Sequence, residues 1–231
     1  MSEGVTPPLL LKIGGSLAEG DQLSAWLRLA ADHADRSIVV VPGGGSFADL
    51  VRRMQGKLGF AEAAAHRMAL LAMEQYAIAM VGMEPRLRLG ASPTAIERAL
   101  IQGQAVVWLP SAMTLGRPDL PESWTVTSDS LACWLAAELR ARRLVLIKAL
   151  EPPGVEREAG ALARIGYIDG AFPGFLRRFR GEAACIAAAD HAAAATALAE
   201  GREFGTAIRA AEARAPRPAK RGEDAERKRS R

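Results

Sequence analysis

Lys12 sits inside an apolar run, Leu9-Leu10-Leu11-Lys12-Ile13, and Gly14-Gly15-Ser16 follow it directly. A charge in that place needs either water at the mouth of a strand or an anion. The chain holds only five lysines, and Lys148 repeats the arrangement at the end of Leu144-Val145-Leu146-Ile147. A second glycine turn, Gly43-Gly44-Gly45, follows the β-branched run from Ile38 to Val41. Without a Cβ, glycine lets backbone N–H groups come close to a phosphate, and a helix start just beyond adds a favourable partial charge. Thr127-Ser128-Asp129-Ser130 supplies a carboxylate at the start of an apolar helical stretch. Ser128 or Asp129 suits the N-cap of that helix, and the same carboxylate could orient lysines around a phosphate. Two strand-end lysines, one carboxylate and two glycine turns make a set for phosphoryl transfer, in which catalysis is mainly positioning and charge stabilisation. Neither turn fits the P-loop pattern G-x-x-x-x-G-K-S/T, and neither has the glycine spacing of a dinucleotide fingerprint.

Such residues meet only if strands deliver them to one sheet edge. Apolar runs at 9–13, 37–41, 105–109, 144–148 and 183–187 read as buried strands, with a last short one at 206–208. Helical spacing predicts helices over 22–34, 46–54, 61–80, 94–101, 130–140 and 190–199. A short segment is expected near 86–89, a proline-marked loop over 110–126, and irregular chain over 151–180. Strands that alternate with helices and are apolar throughout imply an α/β fold with a largely parallel sheet, whose ligands bind beyond the strands' carboxyl ends.

The 231 residues are 49% hydrophobic, enough for one substantial core or a closely joined two-lobe unit, and against disorder of the body. The formal charge of +4 belongs to the end of the chain. Residues 213–231 carry eight Lys/Arg and three Asp/Glu, which leaves 22 basic and 23 acidic groups in residues 1–212. The body at 1–212 is therefore one near-neutral unit, and the Ala-, Pro- and charge-rich tail at 213–231 is expected to be disordered. Such a tail could touch nucleic acid or an anionic surface weakly, but nothing else in the sequence suggests nucleic acid and no specific nucleic-acid partner is expected. No apolar run reaches the length of a membrane span, and the start, with Glu3 and Pro7-Pro8, lacks the form of a secretory signal. The expected compartment is the cytoplasm. Cys133 and Cys185 lie in apolar stretches and read as buried thiols; no Cys/His spacing points to a metal site.

Lys12-Ile13-Gly14-Gly15-Ser16-Leu17, Val41-Pro42-Gly43-Gly44-Gly45, Thr127-Ser128-Asp129-Ser130-Leu131-Ala132 and Gly205-Thr206-Ala207-Ile208 resemble, in that order, the motifs of the amino acid kinase superfamily. The resemblance implies a three-layer α/β/α sandwich, ATP with magnesium, direct in-line transfer, and a homodimer or larger homo-oligomer. It implies that Lys12 stabilises the phosphoryl group in flight, that Gly14, Gly15, Ser16 and Ser128 contact ATP phosphates, and that Asp129 organises the lysines. Gly43, Gly44, Gly45 and Ser46 would cradle the acceptor. A second lysine that several members carry late in the chain has no counterpart in 151–180, and Glu151-Pro152-Pro153-Gly154 replaces a Val-Asp-Gly-type segment. Lys148 is then the candidate for the second cation.

A narrower likeness rests on Ala65-His66-Arg67-Met68-Ala69, Ala72-Met73-Glu74-Gln75-Tyr76 and Leu120-Pro121-Glu122-Ser123-Trp124. It is to the small branch that phosphorylates an aminomethyl-furan methyl phosphate in the biosynthesis of methanofuran-type one-carbon carriers. The likeness implies a small phosphorylated substrate. Arg67 would hold its phosphate, Asp49 or Glu74 its ammonium, and His66 would lie nearby. Other readings of the same fold are a kinase for isopentenyl phosphate or an acidic amino acid, and a non-catalytic nucleotide or oxyanion binder.

Overall fold

The first strand, β1 (Leu9–Ile13), is buried along its whole length, because it lies at the centre of a sheet covered on both faces. The computed structural model describes residues 6–17, 20–151, 154 and 157–210. Its other strands are β2 (Ile38–Pro42), β3 (Arg88–Gly90), β4 (Val106–Trp108), β5 (Arg143–Lys148), β6 (Glu182–Ala187) and β7 (Thr206–Ile208). They form one sheet in the order β3-β4-β2-β1-β5-β6-β7, parallel except for β7, which runs antiparallel to β6. The helices are α1 (Asp21–Asp32), α2 (Gly45–Leu58), α3 (Glu62–Met83), α4 (Pro93–Ile101), α5 (Ser111–Thr114), α6 (Ser128–Glu138), α7 (Ala159–Arg164), α8 (Phe172–Leu176) and α9 (His191–Ala199).

Side chains alternate between the faces of a strand, so the sheet divides two cores. Leu10, Val39, Val41, Leu144 and Leu146 pack with residues of α4, α6, α7 and α8. Leu9, Leu11, Ile13, Val40, Val145 and Ile147 pack with α1 and α9. α3 serves both cores, Leu70 and Met73 in the first and Ala77 and Met80 in the second. The result is a three-layer α/β/α sandwich. Lys12 lies two residues beyond Leu10, and Lys148 two beyond Leu146, so both emerge on the α6 side of the sheet.

Three expectations change. The loop over 110–126 contains α5, and the segment at 151–180 contains α7 and α8, too short for a periodic apolar signal. α6 begins at Ser128, with Thr127 at the N-cap position and no capping bond from its side chain, so neither Ser128 nor Asp129 is the cap. Cys133 and Cys185 are buried free thiols. Among the described residues no helix is long and apolar enough to cross a membrane. The tail at 213–231 and its boundary at 212 lie outside the described residues.

Candidate active site

β1 and β5 are neighbours in register, Lys12 opposite Leu146 and Ile13 opposite Ile147, which sets Lys148 on the same face as Lys12 and two residues further along. The first turn of α6 lowers Asp129 between them. Lys12 Nζ lies 2.8 Å from Asp129 Oδ1, and Lys148 Nζ donates to Oδ2 at 2.6 Å. The Lys12 contact is an ion pair off the hydrogen-bonding direction. The side chain of Asp129 is only 6% exposed. Burial works against its ionised form, but the two ammonium groups outweigh burial and hold its pKa at about 2. Lys148 moves the other way. Burial first, and the charge of Lys12 second, push it below the ordinary lysine value, while Asp129 opposes them. The Tyr167 ring stands 5.5 Å from Lys148 Nζ and adds a cation–π contact. Two cations around one anion leave the cluster net positive, at the carboxyl ends of the sheet's central strands.

The two glycine turns touch backbone to backbone. A Cβ on Gly15 would stand 2.3 Å from Gly45 N, and one on Gly43 would stand 2.3 Å from Gly15 N. The N–H of Gly14 is taken by Ile147 O at 3.1 Å, which extends the β1–β5 pairing and leaves Gly15 and Ser16 to face the cleft. Gly45 opens α2 with φ +48°, and its approach to the Tyr76 ring leaves no room for a side chain. The first N–H groups of α2 have no partner within the helix and present its positive end. Ser46 Oγ shares a hydrogen bond with Tyr76 OH at 2.9 Å.

Beside this junction is a cleft of about 460 Å³. Gly15, Ser16, Gly44, Gly45, Ser46 and Ser128 line it together with Asp49, Arg52, His66 and Trp124, and Leu70, Met73, Val126 and Leu131 form its apolar wall. His66 is buried with Nδ1 3.3 Å from Ser123 O, and burial lowers its pKa below the ordinary histidine value. Asp49 lies 3.6 Å from an Arg52 guanidinium nitrogen.

Arg67 and Glu74 do not join the cleft. Each is the next residue after a cleft-lining one, His66 and Met73, and a helix turns by about 100° per residue. Arg67 is 60% exposed and pairs with Glu122; Glu74 accepts the N–H of Ser111 at 2.9 Å and anchors α5. The cation that lines the cleft is Arg52, three residues past Asp49 on α2, a spacing that places both on one helix face. Its guanidinium lies 4.3 Å from the centroid of the Trp124 ring. Trp124 in turn donates from Nε1 to Gln55 Oε1 at 2.6 Å, and its backbone N–H donates to Glu62 Oε1 at 2.8 Å.

Among the described residues no group of three or more His, Cys, Asp or Glu is placed to hold a metal ion. Magnesium that travels with nucleotide phosphates is held mainly by those phosphates and water, usually with one or two carboxylates, and the buried carboxylate here is committed to two lysines. These residues form no magnesium cage of their own.

The sequence model of the amino acid kinase family matches residues 7–152. The [5-(aminomethyl)furan-3-yl]methyl phosphate kinase of Methanocaldococcus jannaschii is 27% identical over 186 residues, covering 74% of this chain and 83% of that protein. The acetylglutamate kinase of Colwellia psychrerythraea is 27% identical over 146 residues, 60% of this chain and 54% of that protein, so the chain spans about half of that relative's length. Among solved structures, uridylate kinase from Archaeoglobus fulgidus superposes with a TM-score of 0.66 at 16% identity, over 88% of this chain and 100% of that one. UMP kinase from Bacillus anthracis gives 0.66 at 16%, over 89% and 97%. The stretch matched by the family model contains both glycine turns, Lys12, Asp129 and Lys148, and the chain belongs to the amino acid kinase family.

Proposed function

We propose that the chain is an ATP-dependent kinase that phosphorylates the phosphate of (5-(aminomethyl)furan-3-yl)methyl phosphate, giving the diphosphate and ADP. The observation that carries the kinase reading is the Lys12–Asp129–Lys148 cluster set beside two touching glycine turns. ATP supplies the γ-phosphoryl group. An acceptor phosphate oxygen forms the new P–O bond as the bond between the γ-phosphorus and the bridging oxygen breaks, with the electron pair leaving on ADP. An ionised acceptor phosphate needs no base. Lys12 and Lys148 stabilise the charge that builds on the equatorial and bridging oxygens, and Asp129 keeps both ammonium groups aimed and charged. Gly15 and Ser16 present N–H groups to the donor phosphates, and the start of α2 presents its own to the acceptor phosphate.

The acceptor assignment rests on the likeness to the Methanocaldococcus jannaschii enzyme, which extends over 83% of that protein. The cleft's contents agree with it. The apolar wall and Trp124 suit a furan ring, Asp49 suits an ammonium group, and Arg52 suits the phosphate already present. Gly205 and Thr206 line a separate hollow with Glu151 and Ala187 at the carboxyl ends of β5 and β6, where the nucleotide base would lie. In this reading the enzyme works in the cytoplasm as a homodimer or larger homo-oligomer. ADP release measured with the furan phosphate, UMP, N-acetylglutamate and isopentenyl phosphate tests the acceptor. Turnover on another acceptor, with only background on the furan phosphate, replaces it. ATP binding without turnover on any acceptor makes the chain a binding protein.

A further inference from the structure

Five hydrogen bonds converge on Asp169, a residue in a segment with no clear sequence signal. Its Oδ2 accepts Thr127 N at 3.1 Å, Thr127 Oγ1 at 2.8 Å and Ser130 N at 2.9 Å. Its Oδ1 accepts Ser130 Oγ and, at 2.9 Å, Phe172 N. Four of the five donors belong to the cap and first turn of α6, and the fifth opens α8. Nearby, Ala171 N donates to Thr125 O at 3.2 Å, a second tie between the same two segments.

The first N–H groups of a helix need acceptors from outside it. An acidic residue in the first turn is well placed to serve them, and α6 has one in Asp129. Asp129 does not do so, because its carboxylate is turned to Lys12 and Lys148. Thr127 makes no capping bond either. A carboxylate borrowed from some forty positions later therefore does the capping, which frees Asp129 for the lysines. The bonds also lock the hydroxyls on both sides of Asp129, at Thr127 and Ser130, so the turn that bears Asp129 is pinned at both ends.

We propose that Asp169 is a positioning residue for phosphoryl transfer, holding the first turn of α6 so that Asp129 stays between Lys12 and Lys148. The kinetic part of this inference rests on the kinase reading; the structural part does not.

The test is Asp169→Asn, which keeps the size and loses the paired acceptor oxygens. The chain has only five lysines, so their side-chain NMR signals can be assigned one by one. In the folded variant the Lys12 and Lys148 signals are expected to move toward that of exposed Lys57, with no acceptor or nucleotide present. Turnover is expected to fall by up to about 100-fold with acceptor KM little changed, the scale of a small misplacement of reacting groups. In an Asp129→Asn background, adding Asp169→Asn is expected to cost nothing further. Unmoved lysine signals in a folded Asp169→Asn protein overturn the proposal. So does a double variant that loses the full factor again. If Asp169→Asn fails to fold, Ser130→Ala and Thr127→Val each remove one hydroxyl donor, and each must shift the same two signals. A wrong acceptor would show as no turnover in the parent protein while the lysine signals still respond, so the two readings fail separately.

Discussion

Lys148 Nζ and Asp129 Oδ2 stand 2.6 Å apart, with side chains only 15% and 6% exposed. Because burial lowers the lysine's pKa, Lys148 loses its charge before an ordinary lysine would. Turnover is expected to fall along an alkaline limb centred below 10.5, and Lys148→Arg, which stays charged, is expected to move that limb upward. Between the lowered value and 10.5 the unfolded chain binds the extra proton, so stability rises with pH across that window. Rate–pH profiles and urea titrations from pH 7 to 11 check both statements.

In the proposed mechanism Lys12→Ala and Lys148→Ala each remove a cation from the transferring group. Each is expected to lower turnover at least about 100-fold, the scale of one lost charge-stabilising donor. ADP release under saturating substrate is the measurement, and near-normal turnover in either variant removes that lysine from the mechanism.

Asp129→Asn leaves two mostly buried ammonium groups without their counter-charge. The expected cost is about 3–5 kcal/mol of folding stability. In the parent protein the depressed carboxylate contributes stability that is fully present above the ordinary value of 3.8 and is lost as pH falls through about 2. The difference corresponds to roughly 2 kcal/mol. Denaturant midpoints between pH 5 and pH 2 are expected to fall more steeply in the parent than in Asp129→Asn.

Gly15→Ala places a methyl group 2.3 Å from the backbone nitrogen of Gly45, with no side chain that could swing aside. One turn must shift, at an expected cost of about 1–3 kcal/mol, with loss of phosphate binding. A lower melting temperature that added nucleotide does not restore is the expected result.

Arg52→Ala and Trp124→Ala are expected to raise the acceptor KM by about tenfold or more, as loss of a charge-assisted or stacking contact would. Arg67→Ala removes only an exposed pair with Glu122, worth less than about 1 kcal/mol, and is expected to leave KM nearly unchanged. Steady-state kinetics with the three variants side by side separates the cleft's cation from its neighbour on the surface.

The parts of this site legible in the sequence were those with local physical oddity. A lysine inside an apolar run and glycines clustered after a strand stand out without any partner in view, and so Lys12, Lys148 and both turns could be named. Strand and helix order followed from periodicity, and the sheet's parallel topology followed from that order. Arg67 and Glu74 lie off the lining of the cleft because a one-residue difference on a helix moves a side chain by about 100°, and the apolar Ala-rich sequence of α3 hides which face is which. Arg52 carries no local mark in the sequence, because what distinguishes it is Trp124, from a loop 72 positions later. Asp169 was invisible because its role exists only through residues 39 and 42 positions away.

β1 lies between β2, its near neighbour in sequence, and β5, which the chain reaches only after passing through β3 and β4. Closing β1 against β5 joins ends separated by most of the domain, a non-local pairing of the kind that forms slowly. Lys12 is made well before its partners, Asp129 by 117 positions and Lys148 by 136. A nascent chain that has not reached Lys148 cannot assemble the two lysines around Asp129, however well its first half is folded. The cluster in this protein therefore forms late, with the docking of the sheet's second half.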